Sequence, residues 1–244
     1  MGKKLLIGLG AVMLIVMVLF WQRYTSLDRI VVTIVEDVAS DVLNSRVIVS
    51  GMSVDLAQGK ANIDGLTIAN PQGYLQQYIL DMKRIEVDFQ PNSIQQNPVI
   101  IESIRINSPT IFYEGHGPGG SNMEVLLKNI ENATAVKNTT GTDKKPGIII
   151  GKLEFSGGLI KASSMATPHN IKNVGLPVIE ILGIGRSKGG VSMEEATTQV
   201  AYELISGIIS AVVKAGADRV IKNDGVLDSV REHLKQREEL KRDD

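Results

Sequence analysis

The sequence predicts an α+β fold. An N-terminal transmembrane helix leads into a curved antiparallel β-sheet of repeated hairpins. Amphipathic helices cover the partly open apolar face of that sheet, and helices close the C-terminus. Three observations carry this prediction. An uninterrupted apolar run spans Leu5–Trp21, alternating apolar residues recur from Val47 to Ile184, and two S-x-x-E capping boxes open apolar helices.

The first run, LLIGLGAVMLIVMVLFW, is about 17 residues long and reaches roughly 25 Å as a helix, just under a hydrocarbon core of ~30 Å. Leu5, Leu14, Phe20 and Trp21 mark this anchor, with Trp21 and Tyr24 suited to the interfacial aromatic belt. A cleaved secretory signal has a similar start, but its exit carries small residues, whereas this one reads Phe20-Trp21-Gln22-Arg23. Lys3 and Lys4 hold the N-terminus in the cytoplasm, so the chain is expected to be a single-pass inner-membrane protein with its bulk in the periplasm.

Five segments follow: the anchor over 1–25, a helix and sheet region over 26–132, a polar loop over 133–146, a continuation of the sheet over 147–191, and C-terminal helices over 192–244. Leu27 to Asn44 has helical spacing at Leu27, Ile30, Val31, Ile34, Val38 and Val42. Strands are predicted at Val47–Leu56, Lys60–Ala69, Ile85–Phe89, Val99–Ile106, Thr110–Glu114, Ile148–Phe155, Leu159–Ala162 and Val178–Ile184. Ala57-Gln58-Gly59 and Asn107-Ser108-Pro109 read as hairpin connections, and Asn70-Pro71-Gln72-Gly73 as a turn. Gln76 to Lys83 reads as a short helix. Ser121-Asn122-Met123-Glu124 opens a helix, and Ser192-Met193-Glu194-Glu195 opens a longer one reaching Ile221. A last helix runs from Val226 to Lys241.

Val99–Gly115 and Ile148–Ser163 align without gaps as strand, three-residue turn and strand; Val47–Ile63 fits the same frame loosely. The long helix spreads its apolar residues over more than one face. Leu204, Ile208 and Val212 are expected to cap the sheet. Ile205, Ile209 and Val213 are expected to face a partner, a second copy or lipid. Glu203, Ser206, Ser210 and Lys214 argue against a second membrane span.

Chemistry-bearing residues are sparse. The chain of 244 residues has 0 cysteines and 3 histidines, and its net charge of -1 gives no footprint for nucleic acid. His116, His169 and His233 stand apart without metal-ligand spacing. The glycine-rich stretches at 115–120 and 183–190 match neither phosphate-loop nor dinucleotide spacing, and Ser163, Ser164 and Ser187 lack a nucleophile-elbow context. No catalytic, cofactor or metal site is predicted.

The run VDLAQGKANIDGLTIANPQGY (Val54–Tyr74), then Pro91, Ser93 and Ile94, resembles the AsmA family of bacterial envelope proteins. The hairpin signature at Ile101, Ile104, Ile106, Pro109, Ile111 and Glu114, and the N-x-x-x-L-L start of SNMEVLLKNI, resemble it too. The resemblance implies an inner-membrane anchored, mostly periplasmic protein of a group linked to envelope integrity and phospholipid traffic, while the sparse histidines, absent cysteines and absent nucleophile motifs lead to the expectation of no enzyme activity. A sheet of roughly ten strands spans only about 40–50 Å, so one copy is not expected to bridge to an outer membrane. Two function classes stay open: lipid handling, and a structural or assembly role in which the sheet edge and C-terminal helices bind another envelope protein or a second copy.

Overall fold

The computed structural model describes residues 29, 31–116, 120–137 and 147–215. The expected anchor with Leu5, Leu14, Phe20 and Trp21, most of the expected loop, and the helix expected from Val226 lie outside them. A helix over residues 31–43, α1, precedes one mixed sheet of nine strands. These are β1 (Val47–Asp55), β2 (Lys60–Ala69), β3 (Tyr78–Phe89), β4 (Val99–Asn107), β5 (Thr110–Gly115), β6 (Ile148–Ser156), β7 (Leu159–Ser164), β8 (Thr167–Gly175) and β9 (Ile179–Ile184). Helix α2 (Asn122–Lys137) lies between β5 and β6, and α3 (Met193–Lys214) follows β9.

Register reduces the nine strands to six bent ribbons. Ile85 of β3 faces Ile106 of β4, and five positions back Leu80 faces Ile111 of β5, so β4 and β5 run on along β3 in one register. The expected hairpin at Asn107-Ser108-Pro109 is therefore a kink, and the chain does not reverse there. The same holds for β6 and β7, and for β8 and β9, which run along them in one register with Gly175 opposite Leu159 and Ile179 opposite Phe155. Ile148 lies beside Val99 and Leu159 beside Thr110, in parallel, with the 49-residue separation that also joins Ser156 to Asn107. The two copies of the sequence repeat are thus neighbouring parallel ribbons, and the sheet is not the antiparallel one expected. Parallel neighbours need a crossover of a dozen residues or more, and α2 with the segment after it supplies that return.

One crease crosses these ribbons. Gly65 falls between the pairs Asp64–Arg84 and Leu66–Met82, and Ser108 and Gly157 stand next to one another on the far side of β3. All three have positive φ, at 70°, 54° and 63°. In a regular strand, residues two apart share a face. Across the crease the buried residues are instead odd-spaced: Ile63 then Leu66, Met82 then Ile85, Ile106 then Ile111, Phe155 then Ile160. Left-handed residues in β2 and in the two repeated ribbons reset the alternation, so both halves of a bent ribbon turn their apolar side inward.

The opposite face is charged. Asp64 pairs with Arg84 at 3.2 Å, Arg105 with Asp88 at 2.8 Å, and Lys152 reaches both Glu154 and Glu180. Exposed pairs of this kind add little to stability because solvent screens them, but they settle which face meets water. Helix α1 seals the β1 edge, because Glu36 and Ser40 accept hydrogen bonds from the outward N–H groups of Val49 and Val47.

Three further expectations need correction. Gln76–Lys83 is not a helix, since Tyr78 onward belongs to β3. Strand β8 was not predicted. Helix α2 continues to Lys137, into the stretch expected to be loop. Both capping boxes form at their first hydrogen bond: the Ser121 and Ser192 hydroxyls accept from the Glu124 and Glu195 amides. Glu124 also returns the bond to Ser121 N–H.

Candidate functional site

The feature this fold builds is an apolar groove of about 540 Å³ between the inner sheet face and the helices. It is walled by α1 (Val31, Val35, Ala39, Leu43), by β1–β4 and β6, by Met123 and Leu126 of α2, and by the N-terminal two-thirds of α3. Thr197 is the one polar side chain among the described lining residues. A site of this size is in the ordinary range for small ligands, ~300–1,000 Å³, but it lacks the convergent polar groups that would orient a polar one.

Burial is graded along α1, β1 and α3, whereas the lining residues of β2 and β6 are buried throughout. On α1, Val42 and Leu43 are buried while Val31 and Val35 are half-buried; on β1, Val47 and Val49 are buried while Met52 and Val54 are not. On α3, Leu204, Ile205 and Ile208 are buried, and Met193, Thr197, Val200 and Ala201 are partly exposed. Ile94 is 41% exposed. The groove therefore opens at the end holding Val54, Ile94, Val99 and Met193. It closes against Ile79, Met123, Phe155 and Ile208, behind which Ile111, Tyr113, Ile130 and Ile160 form solid core.

The closed end is braced by a buried polar cluster made of residues from the Asn70-Pro71-Gln72-Gly73 turn, β5 and the start of α2. Glu114, 1% exposed, accepts at one carboxylate oxygen from Asn70 Nδ2 at 2.8 Å and from the Leu75 and Gln76 amides at 3.0 Å. Asn122 donates to Asn70 Oδ1 and to the Phe112 carbonyl, and accepts from the Glu114 amide. Those residues hold the Asn70–Gln76 loop to β5 and to the start of α2. Nearby, burial pushes the Tyr113 hydroxyl well up, and burial likewise raises the Glu124 carboxyl despite its bond from Ser121. On the outer face, the Ser103 hydroxyl and Arg105 hold Asp88 below the usual aspartate range. The Asp88 carboxylate in turn raises Arg105.

The residues singled out on α3 fall differently from expectation. Ile205 and Ile209 are 3% and 2% exposed, and Val213 is half-buried against the core. The face expected to be free is covered, because α3 packs on α2 on one flank and on β7, β8 and β9 on others. Gly207 lets β9 approach; a Cβ there would lie 2.5 Å from Ile179 Cδ1. Ile205 instead lines the groove, while Ile209 belongs to the filled core. Helix α3 is long and apolar enough to cross a membrane by composition, yet here it is wrapped by the domain, with only Gln199 and Lys214 exposed along it.

His116 stands against Met165, its Nδ1 2.6 Å from the sulfur, and edge-on to Tyr74. Among the described residues no three His, Asp or Glu groups stand together as metal ligands. The groove residues that sequence reasoning missed, such as Met52, Val87 and Ile101, carried one readable signal, the change of phase within each strand. No protein-family model matches this chain, and no curated protein or solved structure matches it at a significant level.

Proposed function

We propose that the protein is a non-enzymatic, AsmA-like envelope module, anchored in the inner membrane with its bulk in the periplasm, that handles phospholipid by housing acyl chain in the groove. The observation that carries this reading is the chemistry of the walls: about 540 Å³ of space with a single hydroxyl facing it. Water gains nothing there, because a buried water needs 2–4 polar partners. Hydrocarbon gains about 0.8 kcal/mol per buried methylene. The test is mass spectrometry of the gently extracted full-length protein against a matched membrane protein. Phospholipid above the control level supports the reading, and its absence turns the assignment to scaffolding. One observation favours that second reading: the outermost strand β9 exposes Leu182 at 66%, next to Val178 at 64%, where a partner strand would add to the sheet.

A further inference from the structure

We propose that the groove is a one-mouthed pocket that takes a single acyl chain, tail first, directly from the bilayer; this rests on the lipid-handling reading above. The mouth is fixed by the burial gradient shared by α1, β1 and α3, and the opposite end stops at Ile79, Met123 and Ile208. A conduit would need exposure at both ends.

Capacity follows from volume. An apolar cavity of ~150 Å³ holds one benzene, six carbons. By that measure about 540 Å³ holds roughly twenty carbons, one long chain and not two. Orientation follows from the walls, since a phosphate drawn past Thr197 would lose its water and meet no donor. The headgroup therefore stays at the rim. That rim is a row of abutting turns, where Gly59 lies against Pro91, and Gly190 and the Asn97-Pro98 pair meet Gly147.

The source follows from chain connectivity. Helix α1 runs antiparallel to β1, with Ser40 beside Val47 and Glu36 beside Val49, so residue 31 begins α1 at the mouth. The apolar run ends at Trp21, and residues 22–30 between them can span at most about 30 Å. Whatever bilayer receives Leu5–Trp21 is thus within one short tether of the mouth.

The test uses the full-length protein in vesicles of phosphatidylethanolamine carrying a photoactivatable diazirine either beside the ester or at the chain terminus. Labelled peptides are then mapped within residues 31–215. The terminal probe is expected to mark the closed end, around Ile79, Met123 and Ile208. The ester-side probe is expected to mark the rim, around Val54, Ile94 and Val99. If both probes mark both ends alike, the one-mouth inference falls while lipid handling stands. If neither probe labels the domain, both fall.

Discussion

Filling the groove separates a binding space from an ordinary core by the sign of the stability change. Ala201 sits on α3 at the half-buried part of the groove wall, one turn before Leu204 and Ile205. Ala201→Phe adds a ring that occupies about 150 Å³ by the benzene measure, a little over a quarter of the 540 Å³ available. Burying a Phe side chain contributes ~1.5–3 kcal/mol, of which a site this open realises about half. Phe costs ~0.5 kcal/mol against Ala in helix propensity. The net expectation is unchanged stability or a gain of about 1 kcal/mol, with less co-purifying lipid. The control is Ala162→Phe on β7, where Ala162 is 6% exposed and outside the groove. Overpacking there should cost ~1–3 kcal/mol. Urea unfolding followed by far-UV circular dichroism measures both. If Ala201→Phe is as destabilising as Ala162→Phe and leaves lipid unchanged, the space between sheet and helices is core and the reasoning fails.

The polar brace and the crease give two further expectations. Glu114→Ala strands the Asn70 amide and the Leu75 and Gln76 N–H groups in a buried site. It should cost about 3–6 kcal/mol. Glu114→Gln, which keeps an acceptor oxygen, should cost only ~1–2 kcal/mol; equal losses in urea midpoint would show that the charge, not acceptance, holds the loop. Gly157→Ala forces a side chain onto φ 63° and should cost ~1–2 kcal/mol. Gly157→Asn should cost less, because Asn tolerates that region; thermal unfolding that ranks Asn below Ala refutes the crease as described.

Local chemistry was legible in the sequence. Both capping boxes, the Ala57-Gln58-Gly59 hairpin and all the strands with internal alternation were found from residue types alone. The 49-residue repeat was found too, and it corresponds to true neighbours in the sheet. Direction was not legible. A Ser-Pro or Gly-Gly step between two apolar runs serves a hairpin or a kink equally well. Only the pairing partner decides, and here β3 pairs with both runs on either side of Asn107-Ser108-Pro109. In Gln76–Lys83 the adjacent apolar residues Ile79 and Leu80 do not show the alternation of a strand. Both are buried because a register shift in the facing ladder at Ile68 and Ala69 breaks the alternation. Strand β8 has one buried residue, Val174, so no periodicity could announce it; its ladder with β7 alone makes it a strand.

The groove was hidden for a different reason. Cavities are properties of spacing between elements, and no residue type marks one: Val87 on the wall and Ile160 in the solid core are equivalent as letters. What the sequence does contain is the change of phase at Ser50-Gly51, Gly65, Lys83, Ser108 and Gly157. Each of the five ribbons built from β1 to β7 carries two short apolar alternations offset by an odd number of residues. That offset is costly to read as one strand and natural to read as a bend with both arms facing inward. With the arms bent, α2 fills the side toward β5, where Met123, Leu127 and Ile130 are buried. The other arm is left to α1 and the first turns of α3, whose Ala39, Ala196 and Ala201 leave room where larger residues would have closed the space. The division between filled arm and open arm is thus set by small side chains on two helices, and the crease makes both arms face the same way.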